Sequence, residues 1–125
     1  MPVQSGLSAA VDLVVSAADT AAALHSGDVA MLGTPRVVAL VEEASCAALA
    51  GSLEPKVTTV GMRVELSHLV PIPVGRKVRA EATLDKVEGR RLTFTVSVSC
   101  DQTLVAVGKV TRVVVDRQQF IEKAG

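Results

Sequence analysis

Four residue types in this chain stand where they could do chemistry. His68 closes an alternating run from Val57 to His68. Thr58, Val60, Met62, Val64, Leu66 and His68 share one face of it; Val57, Thr59, Gly61, Arg63, Glu65 and Ser67 share the other. An imidazole at the end of an apolar face either satisfies itself on a backbone carbonyl or serves as an acid, a base or a hydrogen-bond donor to a ligand. Glu42 and Glu43 interrupt an otherwise apolar helical segment. At 100° per residue they lie about 140° and about 120° from Val37 on opposite sides, so the wheel does not decide which faces inward. Both are solvated acids, or one is partly buried and needs a partner. Thr34 precedes Pro35, the order expected of a helix N-cap, and a helix start also offers free backbone N–H groups to a developing oxyanion. Gly61, on the face opposite His68 by this alternation, marks a bulge or the close approach of a ligand or another backbone.

The elements that must position these residues follow from hydrophobic period. Residues 11–18 read as a first strand. Asp19 is expected to cap a short helical turn through Leu24, which Ser26-Gly27-Asp28 breaks. Val29 to Leu32 returns to an apolar stretch. A helix then runs from Thr34 to about Ala50, with Gly51 just past its end. Val37, Val41, Ala44 and Ala48 fall within about 60° of one another on it, widened by Leu40 and Ala47. Its small residues, among them Ala39, Ser45 and Cys46, let a sheet approach closely. Four strand-like runs follow: Val57–His68, Val78–Asp85, Leu92–Ser99 and Leu104–Val115. The last has a blurred alternation that predicts a bulge near Gly108. Asp116 with Gln119 reads as a cap on a short C-terminal helical turn.

One long helix must cover one apolar sheet face. The expected architecture is therefore α+β, a curved antiparallel sheet wrapped around a single helix, in one domain spanning residues 1–125. Open sheet edges in such a molecule can be closed by a second copy. Composition agrees: Val supplies 23 of 125 residues and Ala 17, while the aromatics are Phe94 and Phe120 alone. Lys plus Arg and Asp plus Glu are 13 each, which excludes a net basic field for nucleic acid. No apolar run is long enough to span a membrane. Residues 1–10 lack the basic and apolar regions of a secretory signal, so a cytoplasmic location is expected. Cys46 and Cys100 have no metal-ligand spacing and are expected to be reduced thiols.

Several motifs taken together resemble a known family. They are Asp19-Thr20-Ala21-Ala22-Ala23-Leu24, Ser26-Gly27-Asp28, Leu32-Gly33-Thr34-Pro35, Val41-Glu42-Glu43-Ala44, Val60-Gly61-Met62-Arg63-Val64, Ser67-His68-Leu69, Pro73-Val74-Gly75 and Gly89-Arg90-Arg91-Leu92. Their order and spacing over residues 10–120 resemble the hotdog-fold acyl-CoA thioesterases of the fluoroacetyl-CoA thioesterase type. That resemblance implies a homodimeric hotdog fold, hydrolysis of an acyl-CoA thioester, and Thr34, Glu42 and His68 as the catalytic set. It implies Gly61 and Gly33 as oxyanion or substrate-binding positions, and no metal or other cofactor. Candidate cations for the CoA tail are Arg63, Arg76, Lys77, Arg79, Arg90 and Arg91. The specialised fluoroacetyl enzyme carries aromatic residues ahead of its helix. Residues 19–33 carry none here, so plain acyl groups are expected as substrates. On the same fold, a hydratase or dehydratase acting on an acyl thioester and a non-catalytic acyl-CoA binder are the competing functions. Thr34 and Glu42 are eight residues apart, about 12 Å along a helix. A site using both is expected at a dimer interface.

Overall fold

The computed structural model describes residues 3–125; Met1 and Pro2, at the head of the stretch read for a signal, lie outside them. Its elements are β1 (Ser8–Val14), a 3-10 turn (Ala17–Asp19), α1 (Thr34–Ala48), β2 (Val57–His68), β3 (Lys77–Glu88), β4 (Arg91–Cys100), β5 (Thr103–Asp116) and α2 (Arg117–Lys123). The five strands form one antiparallel sheet in the order β1-β3-β4-β5-β2. This is the expected α+β arrangement, and α1 lies across the apolar face.

That face is built by strict alternation. Val78, Ala80, Ala82 and Leu84 of β3, with Leu92, Phe94, Val96 and Val98 of β4, are buried against Val37, Leu40, Val41 and Ala44 of α1. Ala80, Ala82 and Ala44 keep the helix close to the strands, so the sheet curves around it. At about 25 cal/mol per Å² of apolar surface removed from water, this contact is the main stabilising term of the fold.

Four local expectations are corrected. The first strand lies at Ser8–Val14 rather than 11–18, because Ser16 and Asp19 claim the following residues for a 3-10 turn. Asp19 caps backward, accepting from the N–H and hydroxyl of Ser16 at 2.8 and 3.0 Å, and the next turn is capped by Thr20, whose hydroxyl accepts from Ala23 N–H. Helix α1 ends at Ala48 with Leu49 as its C-cap, two residues before Gly51, which takes a positive φ of 79°. The irregularity in β5 sits at Val105, where β4 register slips between Val98 and Ser99. Gly108 instead lies flat against the Glu65–Leu66 backbone of β2, where any Cβ would collide. Asp116 does cap α2, accepting from Gln119 N–H at 2.9 Å.

Candidate active site

The decisive local feature is a bulge in β2. Gly61 pairs with Arg112 of β5, but Arg63 pairs with Thr111, so Met62 is the extra residue. The alternation therefore resets. Thr59 and Gly61 face α1, Met62 is half exposed, and Val64, Leu66 and His68 face α1 again. Gly61 and His68 thus share one face, correcting the unbroken alternation that set them on opposite sides. A one-residue insertion reverses every side chain beyond it.

His68 meets the start of the helix. Gly33, not Thr34, is the N-cap of α1, with Thr34 and Pro35 as the first two helical residues. The Thr34 hydroxyl is thereby released from capping, and it lies 2.8 Å from His68 Nδ1. The other ring nitrogen, Nε2, is buried and meets no hydrogen-bonding partner among the described residues. Leaving such a group unpaired costs about 1–3 kcal/mol, a cost a bound ligand can remove. A cleft of about 320 Å³ opens here, lined by Val29, Met31, Leu32, Leu69, Thr34 and His68 among others. A larger cleft, about 620 Å³, lies at Pro55, Lys56 and α2 and touches none of the expected site residues.

The segment ahead of α1 is held in place by charge and backbone bonds. Arg36 Nε lies 3.1 Å from the Asp19 carboxylate. Burial pushes that carboxyl up, but the Ser16 N–H and hydroxyl and the Arg36 guanidinium outweigh it and hold Asp19 below the usual carboxylate range. Gly33 N–H donates to Asp19 O at 2.8 Å, and a Cβ on Gly33 would lie 3.0 Å from Ala21 N. Gly33 N–H is therefore engaged, and Pro35 has none. The first N–H of α1 itself, that of Thr34, has no hydrogen-bond partner among the described residues.

Glu42 forms a second cluster. It is half-buried on the sheet side of α1, whereas Glu43 is exposed. Its Oε2 accepts from Arg112 at 3.1 Å. A Cβ on Gly61 would lie 2.6 Å from that same oxygen, so the glycine leaves the room the carboxylate occupies. Arg112 is 8% exposed. Sequence reasoning missed Arg112; its one signal is a cation two residues from the buried Val110, on the same face of β5. The structure thus brings Thr34 to His68, and Glu42 to Gly61, but the two pairs stand about two helical turns apart on one chain.

The fluoroacetyl-CoA-specific thioesterase family matches residues 15–118. The chain belongs to that family. The fluoroacetyl-CoA thioesterase of Streptantibioticus cattleyicolor is 32% identical over 93 residues, 74% of this chain and 67% of that protein. The solved structure of the fluoroacetyl-CoA thioesterase FlK superposes with a TM-score of 0.91 at 29% identity, covering 99% of this chain and 96% of that one. A phenylalanine-to-alanine mutant of FlK, solved with fluoroacetate and CoA, gives 0.88 at 28% identity, over 94% and 99% of the two chains. The fold is the hotdog, and this member of the family is a thioester hydrolase. No helix among the described residues is long and apolar enough to cross a membrane.

Proposed function

We propose that this protein hydrolyses a small or medium acyl-CoA, with Thr34 and His68 of one subunit and Glu42 of the partner subunit acting on one thioester. The observation that carries the reading is the Thr34–His68 contact of 2.8 Å at the mouth of an apolar cleft, with Nε2 left to a ligand. Apart from Ser26, Thr34 and His68, the walls of the cleft are aliphatic.

Sharing between subunits follows from distance and from the free edge of β2. Within one chain, Glu42 is about 12 Å from Thr34 along the helix, too far for both to touch one carbonyl carbon. Strand β2 is one of the two strands that end the sheet, and its twelve residues pair with no strand on their outer side among the described residues. A long bare edge of this kind pairs readily with a second copy. Antiparallel pairing about a twofold axis at Glu65 would set Gly61 beside His68 of the partner. The bulge at Met62 makes that pairing consistent, since it puts Gly61 and His68 on the same face. Two sites per dimer result, each with Thr34–His68 from one side and Glu42–Gly61 from the other.

In this arrangement the Glu42 carboxylate takes a proton from water as the oxygen adds to the thioester carbon. The tetrahedral oxyanion is met by backbone N–H groups, those of Thr34 and Gly61 being the candidates. The carbon–sulfur bond then breaks, the proton that Glu42 took from water passes to the departing CoA sulfur, and His68 Nε2–H steadies that sulfur by a hydrogen bond. Thr34 holds the tautomer by donating its hydroxyl hydrogen to Nδ1. A second reading is favoured by the same contact: His68 as base and Thr34 as the attacking hydroxyl. It requires an acylated Thr34 peptide during turnover, detectable by mass; general-base attack by water leaves none. Thiol release over a panel of acyl-CoAs is the test of the activity itself. Steady release from short saturated acyl-CoAs supports hydrolysis. Tight binding of the whole panel without thiol release supports a binder, and turnover confined to enoyl or hydroxyacyl thioesters without thiol release supports a hydratase.

A further inference from the structure

We infer that Arg112 is a positioning residue for the Glu42 carboxylate, anchored by Thr59 and acting across the space that Gly61 leaves open. The inference rests on the reading of Glu42 as the base. Arg112 lies in mid-β5 with its side chain on the helix face, directly opposite Gly61. Three of its nitrogens are committed. Nε donates to Thr59 Oγ1 at 2.9 Å, one terminal nitrogen donates to Thr59 O at 2.9 Å, and the other donates to Glu42 Oε2 at 3.1 Å.

The guanidinium is planar and rigid, so two bonds to one residue fix the direction of the third donor. Arg112 therefore does not follow Glu42; Glu42 is aimed by Arg112. The side-chain exposures agree, at 10% for Arg112 and 33% for Glu42. The buried partner is the fixed one. A charge so deeply placed requires an anion, and Glu42 is the carboxylate paired with it. The contact uses one carboxylate oxygen. A two-pronged Arg–carboxylate pair would occupy both, whereas here Oε1 is left to accept a proton from water. The carboxylate is held without being saturated, as a base must be.

The test measures kcat and KM for thiol release from acetyl-CoA by the full-length protein, per folded molecule. Glu42→Gln is measured first. Arg112→Met is expected to lower kcat about 30-fold or more with KM within about threefold, because aim and not substrate binding is lost. Arg112→Lys, which keeps the charge but not the fork, is expected to recover part of the loss. Thr59→Val, which removes the anchor hydroxyl and leaves all charges in place, is expected to lower kcat several-fold. In a Glu42→Gln background, Arg112→Met is expected to change nothing further, since the group it aims is gone. The inference is overturned if Arg112→Met and Thr59→Val keep kcat within twofold while Glu42→Gln abolishes it, or if the Arg112 loss adds in full to that of Glu42→Gln. A silent Glu42→Gln instead overturns the reading of Glu42 itself. Should Arg112→Met fail to fold, Thr59→Val and Arg112→Lys decide the question by the same kcat criteria.

Discussion

Glu42 and Glu43 are adjacent, chemically identical and differently placed, which makes them an internal control. Glu42 lies against Arg112 and Gly61, and Glu43 faces outward. Glu42→Gln and His68→Ala are expected to lower kcat about a hundredfold or more, the usual scale for losing a positioned acid–base group. Glu43→Gln is expected to stay near wild type in the same thiol-release assay. Loss in Glu43→Gln with Glu42→Gln active would move the chemistry to the other acid. Gly61→Ala separates stability from aim. Its Cβ would press on the flexible end of Glu42, 2.6 Å away, and touch Arg112 at an ordinary 3.6 Å. The carboxylate is expected to swing aside at a cost of about 1 kcal/mol or less in stability, while kcat falls at least tenfold. A large drop in melting temperature with kcat unchanged would show that Gly61 serves the strand rather than the carboxylate.

The elements explain which of these residues could be read beforehand. Strict alternation in β3 and β4, and the Val37–Val41–Ala44–Ala48 stripe of α1, made the helix and the sheet face legible. Thr34, Glu42 and His68 could be named because the family motifs carry them. Two positions misled. Met62 is apolar and fits an unbroken alternation, so nothing in the residue types announces that it is the inserted one. Thr34 is a better capping residue than Gly33 by propensity, yet Gly33 takes the cap because its backbone is tied to Asp19. Arg112 was hidden for a different reason: its role exists only once β5 lies beside Thr59 and under Glu42, contacts more than fifty positions apart in sequence.

Two predictions belong to the segment ahead of α1. The Asp19 carboxyl is held below its ordinary value, so its contribution to stability is complete above the unfolded pKa of about 3.9 and is lost as pH falls through the lower folded value. Thermal melts of Asp19→Asn against wild type should therefore differ at pH 7, and the difference should shrink as pH falls below about 3.9; an unchanging difference would contradict this linkage. The same segment presents Val29 and Met31, not aromatic rings, to the cleft. The ratio of kcat/KM for fluoroacetyl-CoA over acetyl-CoA is expected to stay below about tenfold. A ratio of a thousandfold, about 4 kcal/mol in the transition state, would show that aliphatic walls suffice for fluorine selection.

At the scale of the whole molecule, β2 is one of the two strands that end the sheet, and the proposed site is divided on one chain between Thr34–His68 and Glu42–Gly61. A single twofold pairing through β2 is expected to complete it. Sedimentation at micromolar concentration is expected to give twice the chain mass, and a stable monomer would remove the basis for a shared site. The most direct test joins two inactive variants. Thr34→Ala and Glu42→Gln homodimers are each expected to be inactive. In a heterodimer of the two, purified by separate tags, sharing between subunits leaves one site with intact Thr34, His68 and Glu42. The account predicts thiol release by that heterodimer at about half the wild-type rate, one of two symmetric sites being whole. A heterodimer as inactive as both parents would contradict it, since each site would then draw its residues from a single chain.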